Sequence, residues 1–85
     1  MTNEQIELLL KSALNLSEVH VQSDGSHVRV IAVSDVFDDM SRVKKQQYVY
    51  APLKDMIADG SLHAVTIKTF NTEQWRRERM LHMPG

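Results

Sequence analysis

The sequence predicts an α+β fold in which helices pack on a small mixed β-sheet. An alternating segment, 18–23, and a segment rich in β-branched residues, 27–33, flank Asp24-Gly25-Ser26, a turn signal typical of an antiparallel hairpin. A third alternating segment, 63–70, follows a helical stretch. Because a crossover through a helix favours parallel pairing, we expect the second and third strands to lie side by side in parallel.

The first helix is predicted from Asn3 to Leu14. Thr2 is a good N-cap, and Gln5 stands three residues further on, as in a capping box. Apolar residues then recur at helical spacing, at Ile6, Leu9, Leu10, Ala13 and Leu14. This apolar stripe needs a sheet to cover.

The middle of the chain predicts a loop followed by helical structure. Residues 34–40 are polar, and within them Val36 and Phe37 are expected to reach the core. Ser41 is a suitable cap for the next helix, and Gly60 is a suitable end. Pro52 removes a helical hydrogen bond, so we expect either a kinked helix or two helices meeting near Tyr50. The apolar stripe of this segment is Val49, Leu53, Met56 and Ile57.

The last helix is expected to be capped by Asn71 or Thr72 and to carry Trp75 and Met80. His82, Pro84 and Gly85 are expected to form a frayed end.

Composition indicates one globular domain, residues 1–85, with 42% hydrophobic and 25% charged residues. No apolar run approaches the ~20 residues of a transmembrane helix, and no secretory signal is recognised. The chain has no cysteine, which excludes disulfides and thiolate metal sites built by this chain alone. These features lead us to expect a cytoplasmic protein that holds any metal through His, Asp or Glu, or together with a partner that supplies sulfur.

Charge is distributed unevenly along the chain. Residues 1–40 hold two basic and seven acidic residues, a net charge of −5, whereas residues 41–85 hold eight and four, a net charge of +4. The second half is therefore suited to an anionic partner. The overall charge of −1 argues against strong non-specific nucleic-acid binding.

Signatures of an enzyme are absent from the sequence: it has no glycine-rich phosphate loop and no Gly-x-Ser-x-Gly elbow. Asp38 and Asp39 are adjacent acids, but paired-carboxylate chemistry needs two facing groups in a cleft. We interpret them as solvated loop residues, one of which helps to start a helix.

Two of the four histidines stand where strands begin. His27 opens the second strand and His63 the third, so parallel pairing places both near one edge of the sheet. Neutral imidazole is a common metal ligand, but the residues alone favour histidines bonded to nearby backbone. His20 has the polar parity of the first strand and is expected to be exposed.

Basic residues cluster at the start of the middle helix, at Arg42, Lys44 and Lys45, and again on the last helix, at Arg76, Arg77 and Arg79. The simplest interpretation is a solvated helix face. The alternative is a nucleic-acid surface, for which Arg42, Lys44 and Lys45 are the candidates. The Gly-x-x-Gly loop of KH modules is absent.

Several segments in combination resemble the BolA family: 37–47, which runs Phe-Asp-Asp-Met-Ser-Arg-Val-Lys-Lys-Gln-Gln; 49–53, Val-Tyr-Ala-Pro-Leu; 62–68, Leu-His-Ala-Val-Thr-Ile-Lys; and Thr72 with Trp75. The short hairpin Asp24-Gly25-Ser26-His27 is similar to the bacterial branch called IbaG. The resemblance covers nearly the whole chain.

The resemblance implies a KH-like αββααβ fold with an added C-terminal helix. It also implies a monothiol glutaredoxin as partner and a [2Fe–2S] cluster bridging the two proteins, with sulfur ligands from the glutaredoxin and glutathione. His63 matches the family's histidine ligand, and His27 is the matching candidate from the hairpin. Family members are also linked to acid stress and described as transcriptional regulators. Unpaired edge strands leave homodimerisation open.

Overall fold

The computed structural model describes residues 2–25 and 27–82. Its helices are α1 (Asn3–Ala13), α2 (Arg42–Tyr50), α3 (Lys54–Ala58) and α4 (Thr72–His82), and its strands are β1 (Glu18–Asp24), β2 (His27–Val33) and β3 (Ala64–Phe70). Short 3₁₀ helices span Asp35–Asp39 and Ala51–Leu53. The predicted α+β class and the αββααβ order with an added C-terminal helix are confirmed.

The three strands form one mixed sheet in the order β1-β2-β3. β1 and β2 are antiparallel, with Asp24 opposite His27, and Gly25 in the turn has a φ of +62° that suits glycine. β2 and β3 are parallel, with His27 opposite Ala64 and Val33 opposite Phe70. The predicted pairing is therefore correct, and both histidine positions lie at the same end of the sheet.

The inner face of the sheet carries the main core. Alternate strand residues pack there against α1 and the middle helical segment. The fully or nearly buried members are Ile6, Leu10, Val19, Val21, Val28, Val30, Ala32, Phe37, Val49, Leu53 and Leu62. α1 begins with the predicted capping box between Thr2 and Gln5.

A second, smaller core lies on the outer face, where α4 crosses one half of the sheet. Trp75 packs there on Ile31, Val33 and Phe70. Asn71 caps this helix, since Gln74 N donates to Asn71 Oδ1 at 2.7 Å and Asn71 N donates to Gln74 Oε1 at 2.9 Å. The rest of the outer face, toward the start of β2 and β3, is more open, with His27 and Thr66 exposed.

Pro52 divides the middle helical segment as expected. α2 ends at Tyr50, a 3₁₀ turn holds Pro52, and α3 continues from Lys54. Ser41 caps α2 by accepting a hydrogen bond from Lys44 N at 3.1 Å. Tightening to a 3₁₀ turn accommodates a proline that lacks an N–H, and it keeps Val49 and Leu53 on the buried stripe.

Residues 34–40 were predicted as a loop but contain a 3₁₀ helix. Buried Ser34 starts it by accepting from Val36 N at 3.2 Å, and its hydroxyl also donates to Asn15 O at 2.7 Å. Phe37 is buried, as expected, and Val36 is partly buried. Neither Asp38 nor Asp39 starts a helix, because Ser41 caps α2; both are exposed, and Asp38 accepts from the Asn71 side chain at 2.9 Å.

A helix side chain satisfies one backbone group on each edge strand. Val21 N in β1 donates to Glu7 Oε2 at 2.9 Å, and Gln46 Nε2 donates to Ile67 O in β3 at 3.0 Å. α1 and α2 therefore each cover part of an edge that would otherwise be open to pairing.

The chain ends are only partly described. α1 ends at Ala13, one residue before the predicted end, and β3 begins at Ala64 rather than His63. His82 is the last residue of α4 and not part of a frayed end; Pro84 and Gly85 lie outside the described residues. Among residues 2–25 and 27–82, no helix is long and apolar enough to cross a bilayer.

Candidate metal-binding rim and basic hollow

The first candidate site is the histidine rim, which we define as His27 and His63 at the end of the sheet where β2 and β3 begin. The parallel register places His27 opposite Ala64, so His63 is one residue before the paired position. Both side chains are exposed.

His27 is held firmly from both sides. Its backbone pairs with Asp24 of β1 and Ala64 of β3, and its Nε2 lies 2.7 Å from Thr66 Oγ1. The side chain lines an outer hollow together with Gln22 and Arg29. The expected backbone bond to the imidazole is thus replaced by a bond to a neighbouring hydroxyl.

His63 is positioned by the connection that precedes it. Gly60, with φ +86°, ends the helical segment, and Ser61 N donates to Asp59 Oδ1 at 2.8 Å. Hydrogen bonds from the side chain and backbone of Ser61 lower the pKa of the Asp59 carboxyl, so this turn keeps its anion. Leu62 is buried and anchors the turn, which leaves His63 exposed at its end.

The two histidines share an edge but line different hollows. His27 lines the outer hollow, whereas His63 lines one with Asn3, Ile6 and Val28, on the side of α1. Residues 2–25 and 27–82 contain no group of three or more His, Asp or Glu side chains able to hold a metal. The rim therefore offers two separate imidazoles, and a metal there would need further ligands from another molecule.

The second candidate site is the basic hollow, which we define as the concave surface between α2 and α4 beside β3. Arg42 and Lys45 line it, together with Lys68 of β3, Phe70 and Glu78. Its volume is about 600 Å³. No carboxylate of the described residues lies within ion-pair distance of its three cations. Lys44 is exposed but does not line the hollow.

Sequence reasoning missed Lys68 because it is distant in sequence from the basic start of α2. The sequence did contain a signal for it. The helix of a crossover packs beside the parallel strand that follows it, and this brings Lys68 of β3 close to the basic start of α2. The arginines of α4 are exposed, and Arg76 pairs with Glu73 at 2.7 Å.

His20 was wrongly predicted to be exposed. Its side chain is only 25% exposed, because it stacks on Trp75 with ring centroids 5.3 Å apart. Its Nε2 also lies 3.4 Å from Glu18 Oε1. Strand parity placed His20 on the outer face correctly, but α4 covers that part of the face.

The sequence matches a family model described as BolA-like protein over residues 2–74. It is 55% identical over 82 residues to the Escherichia coli K12 protein named acid stress protein IbaG, which covers 96% of this chain and 98% of the relative.

Solved structures with the same fold agree with this match. The mouse BolA1 solution structure has a TM-score of 0.74 and 28% identity, and the match covers 91% of this chain and 70% of that one. The BolA domain of SufE1 from Arabidopsis thaliana has a TM-score of 0.72 and 26% identity, covering 84% and 92%.

Proposed function

This chain belongs to the BolA-like family, and we propose that it is a cytoplasmic, non-enzymatic partner of a monothiol glutaredoxin that co-ligates a bridging [2Fe–2S] cluster. In this role it takes part in iron–sulfur trafficking and iron homeostasis. His63 is the proposed principal ligand and His27 the second. The proposal rests above all on one observation: two exposed imidazoles stand at one rim of a chain that has no cysteine.

The donor set of the rim fits a shared cluster. An imidazole can replace a thiolate on iron, and in Rieske centres such replacement raises the reduction potential. All sulfur ligands must then come from the partner and from glutathione, since this chain supplies none. His63 suits the first contact because its ring has no hydrogen bond or ion pair to residues 2–25 or 27–82.

The rim also gives the proposed function a pH dependence. An imidazole binds iron only through an unprotonated nitrogen, so protons compete with the metal. The E. coli relative is named an acid stress protein. We therefore extend the proposal to a role in the acid-stress response, in which acidification weakens the hold of this chain on the cluster.

The test is a titration of this protein into the cluster-loaded monothiol glutaredoxin of its organism, followed by visible circular dichroism. Wild type is expected to change the spectrum and to saturate near a one-to-one ratio. His63→Ala should lose most of the change, while His20→Ala, a histidine held under Trp75, serves as the control. Identical titrations for wild type and His63→Ala would contradict the ligand assignment.

A second candidate function, as a DNA- or RNA-binding transcriptional regulator with a KH-like fold, is favoured by the basic hollow. Three cations without ion-pair partners in the described chain surround a cavity beside the β3 edge of the sheet, an arrangement suited to phosphate. This extends the basic helix start predicted from the sequence to include Lys68.

Charge reversal tests this second candidate. Arg42→Glu, Lys45→Glu or Lys68→Glu should lower DNA affinity at low salt and flatten its salt dependence. Lys44→Glu, on the same helix but outside the hollow, is the matched control and should have a smaller effect. If the unmutated protein does not bind DNA at low salt, the nucleic-acid-binding function is wrong.

A further inference from the structure

We propose that Thr66 is a positioning residue that fixes which nitrogen of His27 faces the metal: Nε2 stays bonded to the threonine, and Nδ1 is the ligand. This inference rests on the proposed function and deepens it. The observation that carries it is the 2.7 Å separation of His27 Nε2 and Thr66 Oγ1 across the parallel strand pair.

The geometry of the sheet makes this bond a fixed feature of the rim. His27 stands opposite Ala64, and Thr66 is two residues further along β3, so both side chains lie on the outer face. His27 belongs to the central strand and is paired on both sides. Thr66 is β-branched and therefore stiff at χ1, which limits the movement of its hydroxyl.

The bond leaves two tautomers, and only one of them provides a metal ligand. If Thr66 donates its proton to Nε2, the neutral ring carries its own proton on Nδ1, and neither nitrogen has a free lone pair. If Nε2–H donates to Thr66 Oγ1, Nδ1 is bare and can bind a metal. Metal-bound histidines usually donate their second N–H to an acceptor in this way, and that contact orients the ring.

The two histidines of the rim therefore differ in freedom. The His63 ring has no hydrogen bond within the described chain, so it can turn to meet a partner's metal through either nitrogen. His27 presents a single nitrogen in a single direction. The Thr66 hydroxyl thus connects His27 to β3, the strand that begins directly after His63.

The first part of the experiment needs no partner. Long-range ¹H–¹⁵N NMR spectra of the isolated protein, taken where the ring is neutral, report the tautomer of His27. The Nε2–H form should dominate in wild type and in Thr66→Ser. In Thr66→Val, which is of similar shape but lacks the hydroxyl, the signals should shift and broaden as the ring loses its anchor. A dominant Nδ1–H form in wild type would overturn the proposal.

The second part repeats the titration with cluster-loaded glutaredoxin. Thr66→Val should weaken the complex about 10-fold and reproduce the altered spectrum of His27→Ala, while Thr66→Ser stays close to wild type. If His27→Ala changes the spectrum and Thr66→Val does not, or if His27→Ala has no effect, the positioning role is wrong. If wild type itself gives no spectral change, the proposed function fails and the ligand role falls with it, whereas the NMR result still decides the orientation of His27.

Discussion

Replacing Trp75 by alanine should remove most of what holds α4 on the outer face of the sheet. Trp75 is 3% exposed, and it alone among the described side chains of this helix is buried. Its ring lies 5.4 Å from Phe70 and 5.3 Å from His20, measured between centroids, and it covers Ile31 and Val33.

The expected loss of stability is large for a chain of this length. Truncating a buried tryptophan costs about 3–5 kcal/mol of unfolding free energy, since both transfer from water and packing are lost. An 85-residue domain typically has about 4–13 kcal/mol in total. With a urea slope of about 1.5 kcal/mol per molar, the unfolding midpoint should fall by about 2–3 M.

Urea unfolding followed by far-ultraviolet circular dichroism checks this value, because the variant lacks the only tryptophan that fluorescence would report. Met80→Ala is the matched control, since Met80 lies on the same helix and is 79% exposed; it should change stability by less than about 0.5 kcal/mol. A loss below about 1 kcal/mol for Trp75→Ala, or equal losses for both variants, would refute the assignment of the outer core.

Two further predictions concern local hydrogen bonds. Ser41→Ala should cost about 1 kcal/mol of unfolding free energy in the same assay, since it removes the N-cap of α2, whereas Ser41→Asp should not; equal losses would argue against the cap. Hydrogen bonds from the backbone and side chain of Thr72 lower the pKa of the Asp35 carboxyl below its ordinary value in the folded protein. The ionised carboxyl therefore stabilises the fold above the ordinary pKa, and this contribution is lost as the pH falls through the lower pKa of the folded state. Asp35→Asn should therefore reduce the decrease of unfolding free energy below about pH 4, measured by urea unfolding at a series of pH values, and Asp39→Asn should not. If both variants lose stability with falling pH as the wild type does, the contact of Asp35 with Thr72 does not contribute to the pH dependence.

The sheet was predictable because its signals are local. β-branched runs, a glycine turn and one crossover were sufficient for three strands and their pairing. The boundaries of helices were predicted less well where a capping side chain decides them. The Ser34 hydroxyl, for example, starts a 3₁₀ helix in the stretch 34–40, which was predicted to be a loop. The interruption of the middle helix at Pro52 was predicted correctly. The choice of a 3₁₀ turn over a kink was not predictable, because it depends on the packing of Val49 and Leu53 in the core.

The candidate site was predictable in its location and not in its orientation. Parallel pairing brought His27 and His63 to one edge, as expected. Their separation into two hollows follows from side-chain parity, because His27 alternates with Arg29 while His63 precedes the inward-facing series of Val65. The contact with Thr66 and the cover over His20 arise between segments distant in sequence, so no periodicity within one segment indicates them.

If an imidazole of this chain binds iron in a shared cluster, histidine-specific ¹⁵N labelling detects the bond. The protein would be prepared with ¹⁵N only in histidine, combined with unlabelled cluster-loaded glutaredoxin, reduced, and studied by pulsed electron paramagnetic resonance. Strong ¹⁵N coupling to the reduced cluster is expected, and it should weaken in His63→Ala and disappear when His27 is also replaced by alanine. A cluster spectrum with no ¹⁵N coupling from the labelled wild-type protein would contradict it.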